Sequence, residues 1–138
     1  MQLAISASQV LPGPAGHRFH RGAVLLEDSS IVAVGSRDDI RAAAPDATEL
    51  AYPEATIIPG LINAHVHLAF DPGPHRLERL TDNREAAEIA LAMAGHARQL
   101  LDCGVTTARD PGDRAGLTIA LRDAIAAGWA LLVPRWRG

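Results

Sequence analysis

The stretch Thr56-Ile57-Ile58-Pro59-Gly60-Leu61-Ile62-Asn63-Ala64-His65-Val66-His67-Leu68 constrains this chain more than any other. Ile57, Ile58, Leu61 and Ile62 form a short apolar run broken only by Pro59-Gly60. That is the pattern of a strand buried on both faces, as in a parallel sheet flanked by helices. His65 and His67 follow its carboxyl end. Strand side chains alternate with period two, so both imidazoles are expected on one side and Val66 and Leu68 on the other. Two imidazoles so placed can reach one metal ion, each through a neutral nitrogen about 2.0–2.1 Å from zinc. The carboxyl ends of parallel strands are also where barrels and open α/β sheets place their chemistry. A bare His-x-His pair is common on ordinary surfaces too, so spacing alone leaves both readings open.

Composition narrows the class of protein. With 48% hydrophobic and 21% charged residues in 138, the chain reads as globular and has room for one ordinary domain. A net charge of −3 offers no basic field for nucleic acid or an anionic membrane, so neither partner is expected. All 13 basic residues are arginine. A single cysteine, Cys103, excludes an internal disulfide and reads as a small core residue near a helix end. No cationic, apolar leader opens the chain and no apolar run is long enough to span a bilayer, so the cytoplasm is the expected compartment.

The order of elements comes next. Gln2 to Val10 reads as a strand, stopped by Leu11-Pro12-Gly13-Pro14-Ala15-Gly16. Gly22 to Glu27 and Ile31 to Gly35 flank Asp28-Ser29-Ser30 as a hairpin. Ser36 is placed to cap a short helix through Ala43, with Asp38 and Asp39 at its positive end. Glu49-Leu50-Ala51-Tyr52 reads as another short strand. Beyond the histidines, Asp71 to His75 is a loop, and Asp82 with Glu85 suggests a capping box. Ile89, Ala92, Met93, His96, Leu100 and Cys103 recur at helical spacing, and Gly104 suits the residue after the helix. Val105 to Asp110 reads as a second strand and Leu117 to Ala127 as a second helix. Strand, helix, strand, helix is a βαβα unit with a parallel sheet.

Two of these segments carry a family likeness. Ile58 to His67 resembles the first barrel strand of the amidohydrolase superfamily of metal-dependent hydrolases, with Asn63 where Asp is more usual. Gly104-Val105-Thr106-Thr107-Ala108-Arg109-Asp110 resembles its second barrel strand. Together with Leu121 to Gly128, it points to the imidazolonepropionase-like and prolidase-like branch. Residues 1–55 resemble part of the small β-sandwich that precedes the barrel, with Ser29 in place of a usual turn glycine. The resemblance implies an α/β fold: an incomplete (β/α) barrel, its first two βα units at 56–128, preceded by part of a β-sandwich. A complete barrel takes about 250 residues, so this chain cannot close one. The last ten residues, 129–138, depart from the family pattern, and the reading frame is expected to be cut short or shifted near Trp129.

The resemblance also implies a chemistry. His65 and His67 become ligands of a divalent metal, with zinc expected, that activates water for hydrolysis of non-peptide carbon–nitrogen bonds in a small amide or lactam substrate. The family's remaining ligands come from later strands, and with no lysine present a carbamate bridge cannot form from within this chain. Hydrolysis by the isolated chain is therefore not expected; a second polypeptide could complete the barrel. The competing reading is a non-catalytic fragment, or a metal- or protein-binding module. Asp110 either orients a ligating imidazole or caps the following helix. Arg109 reads as a buried partner of a carboxylate, His96 as a hydrogen-bonded core histidine, Asp71 and His75 as solvated loop residues, and His17 and His20 as exposed. Ala69 stands where dihydroorotase-like relatives place a substrate-binding arginine, which disfavours that substrate class.

Overall fold

Small and branched residues over Gln2–Val10 favour an extended backbone, and this segment, β1, becomes an inner strand of a sheet. The structure is a computed structural model that describes residues 1–13, 16–70, 84–112 and 116–128. It divides into two compact units, Met1–Pro59 and Gly60–Gly138.

In the first unit β1 pairs antiparallel with β2 (Phe19–Glu27), and β2 pairs antiparallel with β3 (Ser30–Ser36). β4 (Thr48–Ile57) lies parallel to β1, giving the order β3-β2-β1-β4. The expected hairpin turns at Asp28 and Ser29. Asp28 takes the left-handed conformation, φ 53°, which aspartate tolerates, so no glycine is needed at Ser29. Helix α1 (Arg37–Ala43) starts as expected: the Ser36 hydroxyl accepts the Asp39 N–H at 3.1 Å, with Asp38 and Asp39 in the first turn. It covers one face of the sheet, where Ala4, Ala23, Leu25, Ile40 and Ala44 form the core. The opposite face leaves Val34 and Tyr52 exposed. Within this unit the described residues form one four-stranded sheet with one helix.

β4 runs well beyond the expected Glu49–Tyr52 segment. Pro53 lies inside β4, which is an edge strand, where a missing N–H is tolerated. The register slips opposite Ala7–Gln9, and the Ser8 hydroxyl donates to the Ala55 carbonyl at 3.0 Å there. Thr56 and Ile57 consequently belong to β4, and Ile57 accepts the Leu11 N–H at 2.9 Å. The two compact units divide after Pro59.

In the second unit β5 (Leu61–Asn63) pairs parallel with β6 (Val105–Ala108). Helix α2 (Ala86–Asp102) connects them and α3 (Leu117–Ala126) follows, the expected βαβα order. Ala69, Ile89, Met93 and Leu121 make the core, with Met93 0% exposed. β5 is not buried on both faces as its composition suggests: Leu61 is 49% and Ile62 73% exposed. Two strands make a narrow ribbon, and its helices cannot cover both sides. Gly60 is required by a close approach, since a Cβ there would overlap the Thr106 side chain.

Helix α2 begins later than Asp82 suggests. Glu85 is its N-cap, and Glu88, three residues on, accepts the Glu85 N–H at 3.2 Å, repeating the same spacing one turn further along. Gly104 closes the helix with φ 83°, as expected. Cys103 is exposed rather than buried, because it caps the helix end where the backbone turns off the apolar face. Asp71, His75, Asp82 and residues 129–138 lie outside the described residues. No helix among the described residues is long and apolar enough to cross a membrane.

Two outcomes follow from this packing. Met93→Ala removes a wholly buried side chain and should cost about 2–5 kcal/mol, read by chemical denaturation of the full chain. The Arg37 guanidinium, donating from Nε at 2.7 Å and Nη2 at 3.1 Å, and then the Ser6 hydroxyl hold the Glu49 carboxyl below its ordinary value of 4.5. A depressed carboxyl stabilises the fold above that value and loses its effect as pH falls through the lower, folded value. Glu49→Gln should therefore lower Tm near neutral pH, with the difference from wild type closing in acid. Thermal melts across pH check this; a constant difference would contradict it.

Candidate functional site

The site grows from the end of β5. Asn63 accepts the His65 backbone N–H on its Oδ1 at 3.1 Å, an Asx-type turn that takes the backbone out of regular strand geometry. Pairing continues across the turn: Arg109 donates its N–H to the Asn63 carbonyl at 2.9 Å, and Val66 donates to the Arg109 carbonyl at 3.0 Å. His65 and His67 therefore project from an irregular segment and not from the strand itself. They still converge, with their Nε2 atoms 3.1 Å apart, ring centroids 5.0 Å apart and planes inclined at 72°.

His67 is the more firmly held of the two. Its Nδ1 lies 2.9 Å from the Gly112 carbonyl oxygen. A carbonyl only accepts, so Nδ1 carries the hydrogen and the Nε2 lone pair faces His65. Phe70 stacks on the ring, centroids 4.7 Å apart and planes inclined at 24°. His65 is exposed.

Two nitrogens bound to one tetrahedral zinc lie about 3.3 Å apart. The observed 3.1 Å separation, with the His67 hydrogen on the far nitrogen, fits two sites of one coordination sphere. It does not make a complete centre: no group of three or more candidate ligands lies together among the described residues. A catalytic zinc ordinarily takes three protein ligands.

Asp110 lies just past β6 with its side chain 3% exposed. Its Oδ2 accepts the Leu68 N–H at 3.0 Å and the Thr118 hydroxyl at 3.2 Å, and its Oδ1 accepts the Gly112 N–H at 3.0 Å. It stands 3.8 Å from His67 Nδ1, beyond hydrogen-bond range. Asp110 does not cap the following helix, whose N-cap is Gly116 without a side-chain cap bond, and it makes no direct hydrogen bond to His67. It ties α3 to the site through Thr118, and it fixes both Gly112, which orients His67, and Leu68, which follows His67.

The other candidates are sorted by their contacts. His96 lies on α2, half-buried, with Nδ1 2.8 Å from the Leu68 carbonyl oxygen. Ala69 is in the helical core and cannot serve the site mouth. Arg109 is exposed, which corrects its reading as a buried partner; its backbone performs its visible role. His17 and His20 are exposed, as expected. Sequence reasoning missed three contributors: Asn63 as an acceptor, the Gly112 carbonyl and Phe70. Only Asn63 left a signal, an amide two residues before the first histidine.

Comparison with known proteins follows the same outline. A sequence profile of the amidohydrolase family matches residues 56–136, more than half of the chain. A profile of the imidazolonepropionase-like composite domain of bacteria matches residues 22–47. No curated protein sequence matches the chain. Among solved structures, a Xaa-Pro dipeptidase with bound methionine in its active site superposes with a TM-score of 0.75 at 22% identity, over 94% of this chain and 31% of its own. Molinate hydrolase gives 0.74 at 29% identity, over 94% of this chain and 28% of its own. Phenylurea hydrolase B gives 0.71 at 26%, again over 94% of this chain and 28% of its own. The chain thus spans between 28% and 31% of the length of these three structures. The likeness first read from the segments around His65 and Asp110 therefore stands, and the chain belongs to the amidohydrolase family.

Proposed function

We propose that this chain contributes the two-histidine part of a metal-dependent hydrolase centre acting on non-peptide carbon–nitrogen bonds of small molecules. The observation that carries this reading is the convergence of His65 and His67, with His67 held in the tautomer a ligand needs. When bound there, a divalent metal, with zinc the first choice for imidazole donors, supplies Lewis acidity that brings the pKa of water toward neutrality. The chain's own residues do the positioning. Asn63 holds the His65 backbone, Gly112 and Asp110 hold His67, and Phe70 covers one face of its ring. Asp110, already engaged by three donors, orients and does not move protons.

Residues 1–55 are read as the small-domain portion of such an enzyme and residues 56–128 as its first two barrel units. The likeness to molinate hydrolase at 29% identity and to phenylurea hydrolase B at 26% supports hydrolysis of a small-molecule substrate. With two protein ligands in hand, the remaining ligands have to come from outside the described residues, in this or a second polypeptide. The isolated chain is accordingly read as a metal-binding part without turnover.

Cobalt(II) titration of the full 138-residue chain should find one site. His65→Ala with His67→Ala should weaken it by at least about a hundredfold. Cobalt binding unchanged in the double variant would remove the reading. The same chain with zinc should release no product from an N-acyl amino acid or a dipeptide ester; turnover that survives in the double variant would likewise contradict it.

A further inference from the structure

Leu68 follows His67 directly, and both of its backbone polar groups are taken by side chains. Asp110 Oδ2 accepts its N–H at 3.0 Å, and His96 Nδ1 lies 2.8 Å from its carbonyl oxygen. Since that oxygen can only accept, His96 holds its hydrogen on Nδ1 and donates it. The two peptide groups that flank Leu68 are therefore pinned from opposite directions, one by the segment after β6 and one by helix α2. No regular ladder reaches this point, because β5 ends at Asn63. Apart from the His96 bond, the hydrogen bonds that tie Val66, the His67 ring and the Leu68 N–H to the rest of the unit come from the β6 side, while Leu68, Ala69 and Phe70 pack against the helical core.

We infer that His96 is a positioning residue for the metal-binding pair, acting through the Leu68 carbonyl to set the direction in which His67 leaves the backbone. This rests on the reading of His65 and His67 as ligands, but its structural half stands apart from any metal. Such outer partners matter because a ligand held loosely must be ordered at the moment of binding. Loss of such partners typically weakens metal sites about 10–100-fold. The half-buried ring of His96 lines the same cavity of about 310 Å³ as His67, Leu68 and Phe70.

The geometry gives an atom-specific test. The side-chain nitrogen of asparagine, bonded to Cγ, stands where His Nδ1 stands, whereas that of glutamine stands near Nε2. His96→Asn should keep the bond to Leu68; His96→Gln and His96→Leu should lose it. The readouts are Leu68 amide exchange, a bond the substitution does not touch, the NMR tautomer signature of His67, and cobalt(II) affinity, all on the full chain. Glutamine and leucine should speed exchange and weaken cobalt binding by about tenfold each, with Asn within about twofold of wild type. Equal exchange and affinity in all four proteins would overturn the inference, as would an Asn variant no better than Leu. If the wild-type chain binds no cobalt, the ligand reading fails on its own, and exchange with the His67 tautomer decides whether the clamp exists.

Discussion

One carboxylate holds the second unit's business end together. Asp110 is withdrawn from water, and a buried charge is tolerable only when its lone pairs are met by donors. Three donors meet it: the Leu68 N–H, the Gly112 N–H and the Thr118 hydroxyl. Each belongs to a different structural part: the segment after β5, the segment after β6, and the first turn of α3. Removing the carboxylate would orphan Leu68 and Gly112 together, and with Gly112 goes the carbonyl that selects the tautomer of His67. The ring geometry at the site is thus a consequence of satisfying one desolvated side chain.

What could be read from the chain beforehand depended on how local the signal was. Ser36 and Gly104 act within a turn of themselves, through cap geometry their own side chains or lack of one dictate, and both were legible. The His65, Val66, His67 triplet was legible as a pair facing one way, though the reason differs. Strand alternation does not set it; the Asn63 turn and the Arg109 backbone do. The Gly112 carbonyl and the Leu68 carbonyl left no trace, because main-chain acceptors have no residue signature and their partners lie 45 and 28 positions away. Cys103 and Arg109 misled for a related reason: periodicity assigns a face but does not say where a helix or strand stops using it.

Pro53 shows the same limit in the first unit. A proline inside an apolar stretch argues for a strand end, yet strand β4 continues past it with a slipped register. Position in the sheet decides, since an edge strand has a side with no neighbour to bond. The same slip breaks the repeat of donors and acceptors along that edge. β3, at the other edge, carries Ile31 and Val32 exposed and has no such interruption beyond its own irregularity opposite Leu25 and Leu26. A fold likeness does not by itself give a chemistry, which has to be argued from side chains.

The close approach of the two imidazoles has one more consequence. Nitrogens 3.1 Å apart can satisfy each other, with His65 Nε2–H donating to the lone pair that Gly112 has turned toward it. A cation recruiting both lone pairs must first break that mutual contact, worth about 1 kcal/mol net, and the His65 ring must carry its hydrogen on the opposite nitrogen. Self-competition of this kind sets a threshold on occupancy: weakly held ions lose to the histidines' own company.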